Sequence, residues 1–121
     1  MASGKILSHS GISEYTPSFD GLVYKKNMSF IRCGQMIQVM GNGIYTNTVA
    51  EAWGTVPIGT ITDSRFLPKY NYVVSVANEG HDFSVQFNPN GSITVSDRSG
   101  TGMTNSQMVG SFTATYIALN R

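Results

Sequence analysis

Charge is scarce in this sequence. Only 12% of its 121 residues are Asp, Glu, Lys or Arg, about half the share usual in a soluble domain. Eight basic and seven acidic residues leave a net charge of +1, and Lys25-Lys26 is the only adjacent basic pair. No cationic stripe tracks a phosphate backbone, so no nucleic-acid partner is expected. A single cysteine, Cys33, excludes an internal disulfide; it reads as a small, buried strand residue. His9 and His81 are the only histidines. Neither has a Cys, His, Asp or Glu at metal-ligand spacing, so no metal or cofactor is expected. No apolar run approaches the ~20 residues of a membrane span. The opening Met1-Ala-Ser-Gly-Lys lacks the apolar stretch of a secretion signal, which makes a cytoplasm the expected place of synthesis.

Catalytic signatures are also missing. Gly41-Asn42-Gly43 holds a Gly-x-Gly, but no third glycine and no helix pattern follow, so it is not a dinucleotide loop. There is no nucleophile elbow. The carboxylates are scattered, and His81 and Asp82, as strand neighbours, point apart. The chain is therefore not expected to be an enzyme.

Ser, Thr, Asn and Gly replace the missing charge, a mixture suited to strands and turns. The length fits one domain. No helical stripe exceeds two turns, whereas two-residue alternation recurs. Phe83, Val85 and Phe87 share a face opposite Asp82, Ser84 and Gln86. Asn88-Pro89-Asn90-Gly91 is a turn, and Ile93 and Val95 resume the alternation, so 83–96 is a β-hairpin. Tyr70, Tyr72, Val74 and Val76 mark a strand apolar enough on both faces to be central or covered. Ile37 and Val39 point inward on 35–40, which Gly41-Asn42-Gly43 then breaks or bulges. Residues 29–33 lead into that strand across Gly34. Thr55 to Ile61 is a weaker strand, with Pro57 marking an edge or bulge. Phe112, Ala114, Tyr116 and Ala118 form the inner face of a last strand that leaves Asn120 and Arg121 as a tail. Residues 97–110, rich in Gly, Ser, Thr and Asn, read as a long connection.

Six or seven short strands indicate an all-β fold, a single antiparallel β-sandwich or jelly-roll-like domain. Residues 1–20 read as an N-terminal arm, edge strand or attachment segment, and 21–121 as the sandwich. With few lysines to blunt its edges, the sandwich is expected to use partner subunits as cover.

For recognition, aromatic faces beside polar groups are the useful residues. Trp53, next to a strand start, is either a packing anchor or a stacking platform for a sugar ring. Tyr45 has the same two readings. Asp63 and Arg65 lie in a polar connection, and His81 and Asp82 open the hairpin. These six residues, Trp53, Tyr45, Asp63, Arg65, His81 and Asp82, are the candidate saccharide contacts on residue type and loop position, with 97–110 as an alternative surface.

An ordered set of segments carries a resemblance. Arg32-Cys33-Gly34-Gln35-Met36-Ile37-Gln38-Val39-Met40-Gly41 resembles the "R-x-G-x-x-V-x-V-x-G" strand of small β domains in bacteriophage tail and fibre proteins. Trp53-Gly54-Thr55-Val56-Pro57-Ile58-Gly59-Thr60-Ile61 is similar to their "lG-tlP" segment, and Phe66-Leu67-Pro68 to their "fxP". The 83–95 hairpin resembles "v-i-x-x-x-G-x-i-x-v", and 110–116 the final "g-s-x-t-Y" strand. The set spans residues 28 to 119 in order. It implies a homotrimeric β-sandwich head of a receptor-binding protein in a tail fibre or baseplate appendage, non-enzymatic, located in the virion and binding host-surface saccharide. A structural virion protein, such as a capsid decoration or head fibre, is the alternative, and a glycan-cleaving enzyme a third reading. No heptad neck or collagen-like stalk accompanies the domain, and binding residues do not carry over with the resemblance.

Overall fold

The computed structural model describes residues 12–19, 23–24, 28–46, 51–78, 80–103 and 107–120. Among these residues there are ten strands: β1 (Ile12–Tyr15), β2 (Ser18–Phe19), β3 (Val23–Tyr24), β4 (Met28–Cys33), β5 (Met36–Thr46), β6 (Thr55–Thr60), β7 (Tyr72–Asn78), β8 (His81–Phe87), β9 (Ser92–Asp97) and β10 (Gln107–Ile117). They form two antiparallel sheets. Sheet A runs β1-β4-β5-β10, with β3 also on β5; sheet B runs β2-β6-β9-β8-β7. A 3-10 turn at Ser64–Phe66 is the one helical element among the described residues. None of them forms a helix long and apolar enough to cross a membrane.

Alternation builds the core. Phe30 on β4, Ile37 and Val39 on β5 and Phe112, Ala114 and Tyr116 on β10 face in from sheet A. Ile58, Phe83, Val85, Phe87, Ile93 and Val95 meet them from sheet B. Phe87 sits at the centre, its ring 6.0 Å from Phe30, 6.2 Å from Phe112 and 5.8 Å from Tyr116. Each fully buried Phe of this kind contributes about 1.5–3 kcal/mol of transfer free energy.

The 83–96 hairpin is present, closed by Gly91 at φ +97° and the Gly91 N–H to Asn88 O bond of 2.8 Å. Gly41-Asn42-Gly43 bulges β5 without ending it: between the Gly41–Phe112 and Ile44–Gly110 pairs, two β5 residues face one of β10. Gly41 has no side chain because the Phe112 ring occupies that space. Pro57 also sits at a bulge, against β9. The two described residues of β2 pair with Gly59 and Thr60, so among the described residues no strand pairs with Pro57 on that side.

Three expectations change. The β7 strand is the edge of sheet B rather than a central strand, and Val73, Ser75 and Ala77 lie exposed on its outer side. Its apolar outer face is uncovered in the single chain. Cys33 is exposed, because the inward phase of β4 runs Met28, Phe30, Arg32 and turns Cys33 outward. The 97–110 connection is shorter than expected, since β10 already begins at Gln107. Residues 12–19 hold β1 and β2, each at one edge of its sheet as described; residues 1–11 lie outside the described residues.

Arg32 takes that inward position because carbonyls surround it. Its guanidinium donates to Gly34 O (2.8 Å), Arg65 O (2.5 Å) and Asn120 O (2.6 Å). One buried cation thereby ties the β4–β5 turn, the 3-10 turn and the last described residue together.

Candidate functional site

The inward row of β9 is Ile93, Val95 and Asp97, so a carboxylate occupies a core position. Asp97 is 0% exposed. A buried carboxylate needs donors, and two loops supply them. Oδ2 accepts the Trp53 N–H (3.0 Å) and the Gly102 N–H (2.9 Å). Oδ1 accepts the Ser99 N–H (3.0 Å) and the Ser99 hydroxyl (2.8 Å). Burial by itself pushes the Asp97 pKa up, but these bonds outweigh it and hold the carboxyl well below the usual carboxylate range.

The anchored loop presents Trp53. Its backbone sits at φ +62°, the one non-glycine left-handed residue among those described. The Trp53 N–H to Asp97 bond holds that conformation, and the turn closes through Gly54 N–H to Glu51 O (2.8 Å) and Asp97 N–H to Gly54 O (2.9 Å). The indole lies against Gly100, where a Cβ would come within 2.8 Å of Cζ2. The residue is nevertheless 63% exposed. It is a shelf with one side seated on the loop and the rest in solvent.

Polar groups surround that end of the sandwich. His81 stacks on Phe83 with centroids 6.0 Å apart, and its Nδ1 lies 3.2 Å from Thr101 Oγ1. Thr101 Oγ1 is 3.1 Å from Ser99 Oγ. The Asp82 carbonyl accepts the Arg98 N–H (2.7 Å), and Arg98 Nε donates to Ser84 Oγ (3.1 Å). Trp53, His81 and Asp82 thus share one end with the 97–102 loop.

Asp63 and Arg65 lie at the other end of β6, roughly 20 Å away at the rise of a six-residue strand. Asp63 caps the 3-10 turn through the Arg65 N–H (3.0 Å) and binds the Arg65 guanidinium at 2.7 Å. The hydrogen bond from the Arg65 side chain lowers the Asp63 pKa, and the same bond raises that of Arg65. The two charges satisfy each other. Tyr45 lies on β5 opposite Met108 and Tyr24; its side chain is outside the described residues.

The Asp63 end also carries a groove of about 250 Å³ between β7 and β10, lined by Met36, Tyr70, Asn71, Tyr72, Thr115, Tyr116 and Ile117. Tyr116 donates its hydroxyl to Phe66 O (2.7 Å). Burial, with a smaller contribution from Tyr15, pushes its pKa above the ordinary tyrosine value, so it stays protonated.

The chemistry available at the Trp53 end is stacking plus hydrogen bonding. Asp97 has all four of its bonds committed and offers no free base. No cluster of three or more His, Cys, Asp or Glu side chains forms among the described residues. Sequence reasoning found Trp53 and missed its cradle of Asp97, Ser99 and Gly102. A signal was present: Asp97-Arg98-Ser99-Gly100 has the form of a turn in which an Asp side chain accepts the N–H two residues on.

No protein-family model and no curated protein matches the sequence. Among solved structures, the fold is similar to the crystal structure of the head domain of phage bIL170, from work on the receptor binding domains of lactococcal phages. The TM-score is 0.63, with 21% identity, over 87% of this chain and 98% of that one. At this identity the likeness establishes a common fold.

Proposed function

We propose that this chain is the receptor-binding head of a phage virion appendage, made in the host cytoplasm, and that it holds host-surface saccharide without cleaving it. The fold likeness to the bIL170 head domain carries this reading. A fold alone does not assign function, and the Trp53 end supplies the matching chemistry. An exposed indole stacks on the apolar face of a pyranose. His81, Asp82, Arg98 and Thr101 stand nearby for its hydroxyls. Backbone strain held at an exposed aromatic is more often found at binding sites than elsewhere. Asp63 and Arg65, paired at the far end, would form a separate contact surface.

The head would work as a homotrimer. Single saccharide contacts are weak, and linking sites multiplies avidity by ~10²–10⁴. Light scattering at micromolar concentration tests this assembly.

Trp53 is the only tryptophan, so intrinsic fluorescence reports this site alone. The chain is titrated with a panel of purified bacterial cell-wall polysaccharides. A saturable change in Trp53 emission with one of them, with no shortened products on chromatography, supports the proposal. Binding by the Trp53→Ala variant at wild-type strength, read by calorimetry because the variant has no tryptophan, removes the platform from the site. Silence across the panel, with the chain buried in capsid density, favours the structural virion protein instead.

A further inference from the structure

Asp97 has two carboxylate oxygens, and each leads to an aromatic ring. Oδ2 holds the Trp53 backbone through the Trp53 N–H. Oδ1 accepts the Ser99 hydroxyl at 2.8 Å, Ser99 Oγ lies 3.1 Å from Thr101 Oγ1, and Thr101 Oγ1 lies 3.2 Å from His81 Nδ1. The Trp53 indole rests on Gly100, between the two hydroxyl residues. One short turn therefore seats both rings.

The direction of this chain follows from its buried end. A hydroxyl has one proton to give and lone pairs with which to accept. Asp97 accepts main-chain N–H groups at both oxygens, as an ionised, acceptor-only carboxylate does. Ser99 gives its proton to Oδ1, which leaves its lone pairs to take the proton of Thr101. The Thr101 hydroxyl has one further acceptor in reach on its own loop, the Gly102 carbonyl at 3.4 Å. Either choice directs the Thr101 proton away from His81 and leaves the Thr101 oxygen to accept from the ring. The bond to Nδ1 then forms only if Nδ1 carries the hydrogen. The reverse arrangement, with Thr101 donating to a bare Nδ1, takes the donor from Ser99 Oγ and interrupts a chain in which each bond polarises the next.

A neutral histidine has one donor nitrogen and one acceptor nitrogen, and the bond made at one decides the state of the other. With the hydrogen on Nδ1, Nε2 is bare. Among the described residues nothing bonds to Nε2, and every buried side-chain nitrogen there has a partner, so Nε2 is open to solvent. The ring lies flat on Phe83, 10° from parallel with centroids 6.0 Å apart, which fixes the plane of that lone pair.

We infer that the Asp97–Ser99–Thr101 relay holds His81 as its Nδ1–H tautomer, and that bare His81 Nε2 is a specificity-determining acceptor for a hydroxyl on the ring that stacks on Trp53. A hydroxyl at that place donates to Nε2. An ether or carbonyl oxygen there sets two acceptors face to face and is rejected. The hydroxyl contact rests on the saccharide reading of the previous subsection; the tautomer does not.

Nitrogen-15 NMR at about pH 9, where imidazoles are neutral, reads the tautomer, because a bare ring nitrogen resonates far downfield of one that carries hydrogen. The His81 signals are those missing from His81→Gln. The expected result is an excess of Nδ1–H of about tenfold in wild type. Thr101→Val keeps the side-chain shape without the hydroxyl, and should return the ring to the Nε2–H form that free histidine favours. A wild-type ring with its hydrogen on Nε2, or a tautomer that Thr101→Val leaves unmoved, overturns the relay. If Thr101→Val fails to fold, the wild-type spectrum decides. The polysaccharide panel is then titrated into wild type in the same spectra. An upfield move of the Nε2 signal as Trp53 emission saturates supports the hydroxyl contact. An unmoved Nε2 signal with saturating emission overturns that contact and leaves the relay standing. Silence in both signals across the panel overturns the saccharide reading, and the contact with it, while the tautomer is already decided.

Discussion

The Trp53 N–H donates to Asp97 Oδ2 at 3.0 Å while Trp53 holds φ at +62°. A buried acid therefore fixes the backbone of an exposed aromatic, and the two residues form one unit across 44 positions of sequence.

Asp97→Asn keeps the shape but replaces one acceptor with a donor that faces N–H groups. We expect a loss of about 3 kcal/mol in urea unfolding at pH 7, since hydrogen bonds to a buried charge are broken and amides left unpaired. The Trp53 emission spectrum should move in the folded variant. A variant as stable as wild type would show that the four bonds to Asp97 add little.

Acid should weaken the same unit. The folded pKa of Asp97 is lowered, against an unfolded value of about 3.9. A group of this kind contributes its full stability above the unfolded pKa and loses it as pH falls below it. Urea midpoints should hold between pH 7 and pH 5 as far as Asp97 is concerned, then fall below about pH 4. The fall should be shallower in Asp97→Asn. Equal slopes for the two proteins would assign the acid sensitivity elsewhere.

The left-handed backbone at Trp53 separates strain from recognition. Trp53→Ala keeps the unfavourable φ, whereas Trp53→Gly relieves it. The glycine variant should be the more stable by about 1 kcal/mol, by thermal melting. On the proposed reading both should lose saccharide binding equally, because both lack the ring.

Two glycine positions should respond differently to alanine. Gly34 has φ +61° with open space around its missing Cβ, so Gly34→Ala should cost about 1 kcal/mol. Gly91 combines φ +97° with the Ile61 carbonyl 2.6 Å from where a Cβ would stand. Backbone cannot step aside as a side chain can, so Gly91→Ala should cost at least twice as much. Chemical denaturation of the pair checks the ordering.

Arg32→Met should remove the donor shared by three segments and leave carbonyls unpaired. A loss of about 3 kcal/mol is expected. Amide exchange should quicken most at Ala118 and Leu119, the backbone donors next to the Asn120 carbonyl that Arg32 holds. Uniform quickening across the sandwich would mean Arg32 supports the whole fold and not this corner.

Much of the fold could be read from alternation, because most strands bury one face and expose the other. The 83–96 hairpin and the inward Phe112, Ala114, Tyr116 and Ala118 follow from that pattern alone. The failures occur where a position is set by partners distant in sequence. Arg32 is inside and Cys33 outside because carbonyls 33 and 88 residues away receive the guanidinium. Composition predicts the reverse. The position of β7 at an edge depends on strand order, which side-chain periodicity does not encode. At the candidate site, Trp53 was legible as an aromatic in a loop. Its left-handed backbone was not, since tryptophan has no local preference for it and only Asp97 imposes it. The separation of Asp63 and Arg65 from Trp53 needed the direction of β6 in three dimensions.

Three of the four bonds that Asp97 accepts come from main-chain amides, those of Trp53, Ser99 and Gly102. A main-chain amide is the same at almost any residue, so the scaffold is indifferent to most of what the loop displays. Side chains such as Arg98 and Thr101 can change while the three amide bonds that hold the loop stay in place. On the proposed reading, the site is a recognition surface that can be rewritten one side chain at a time.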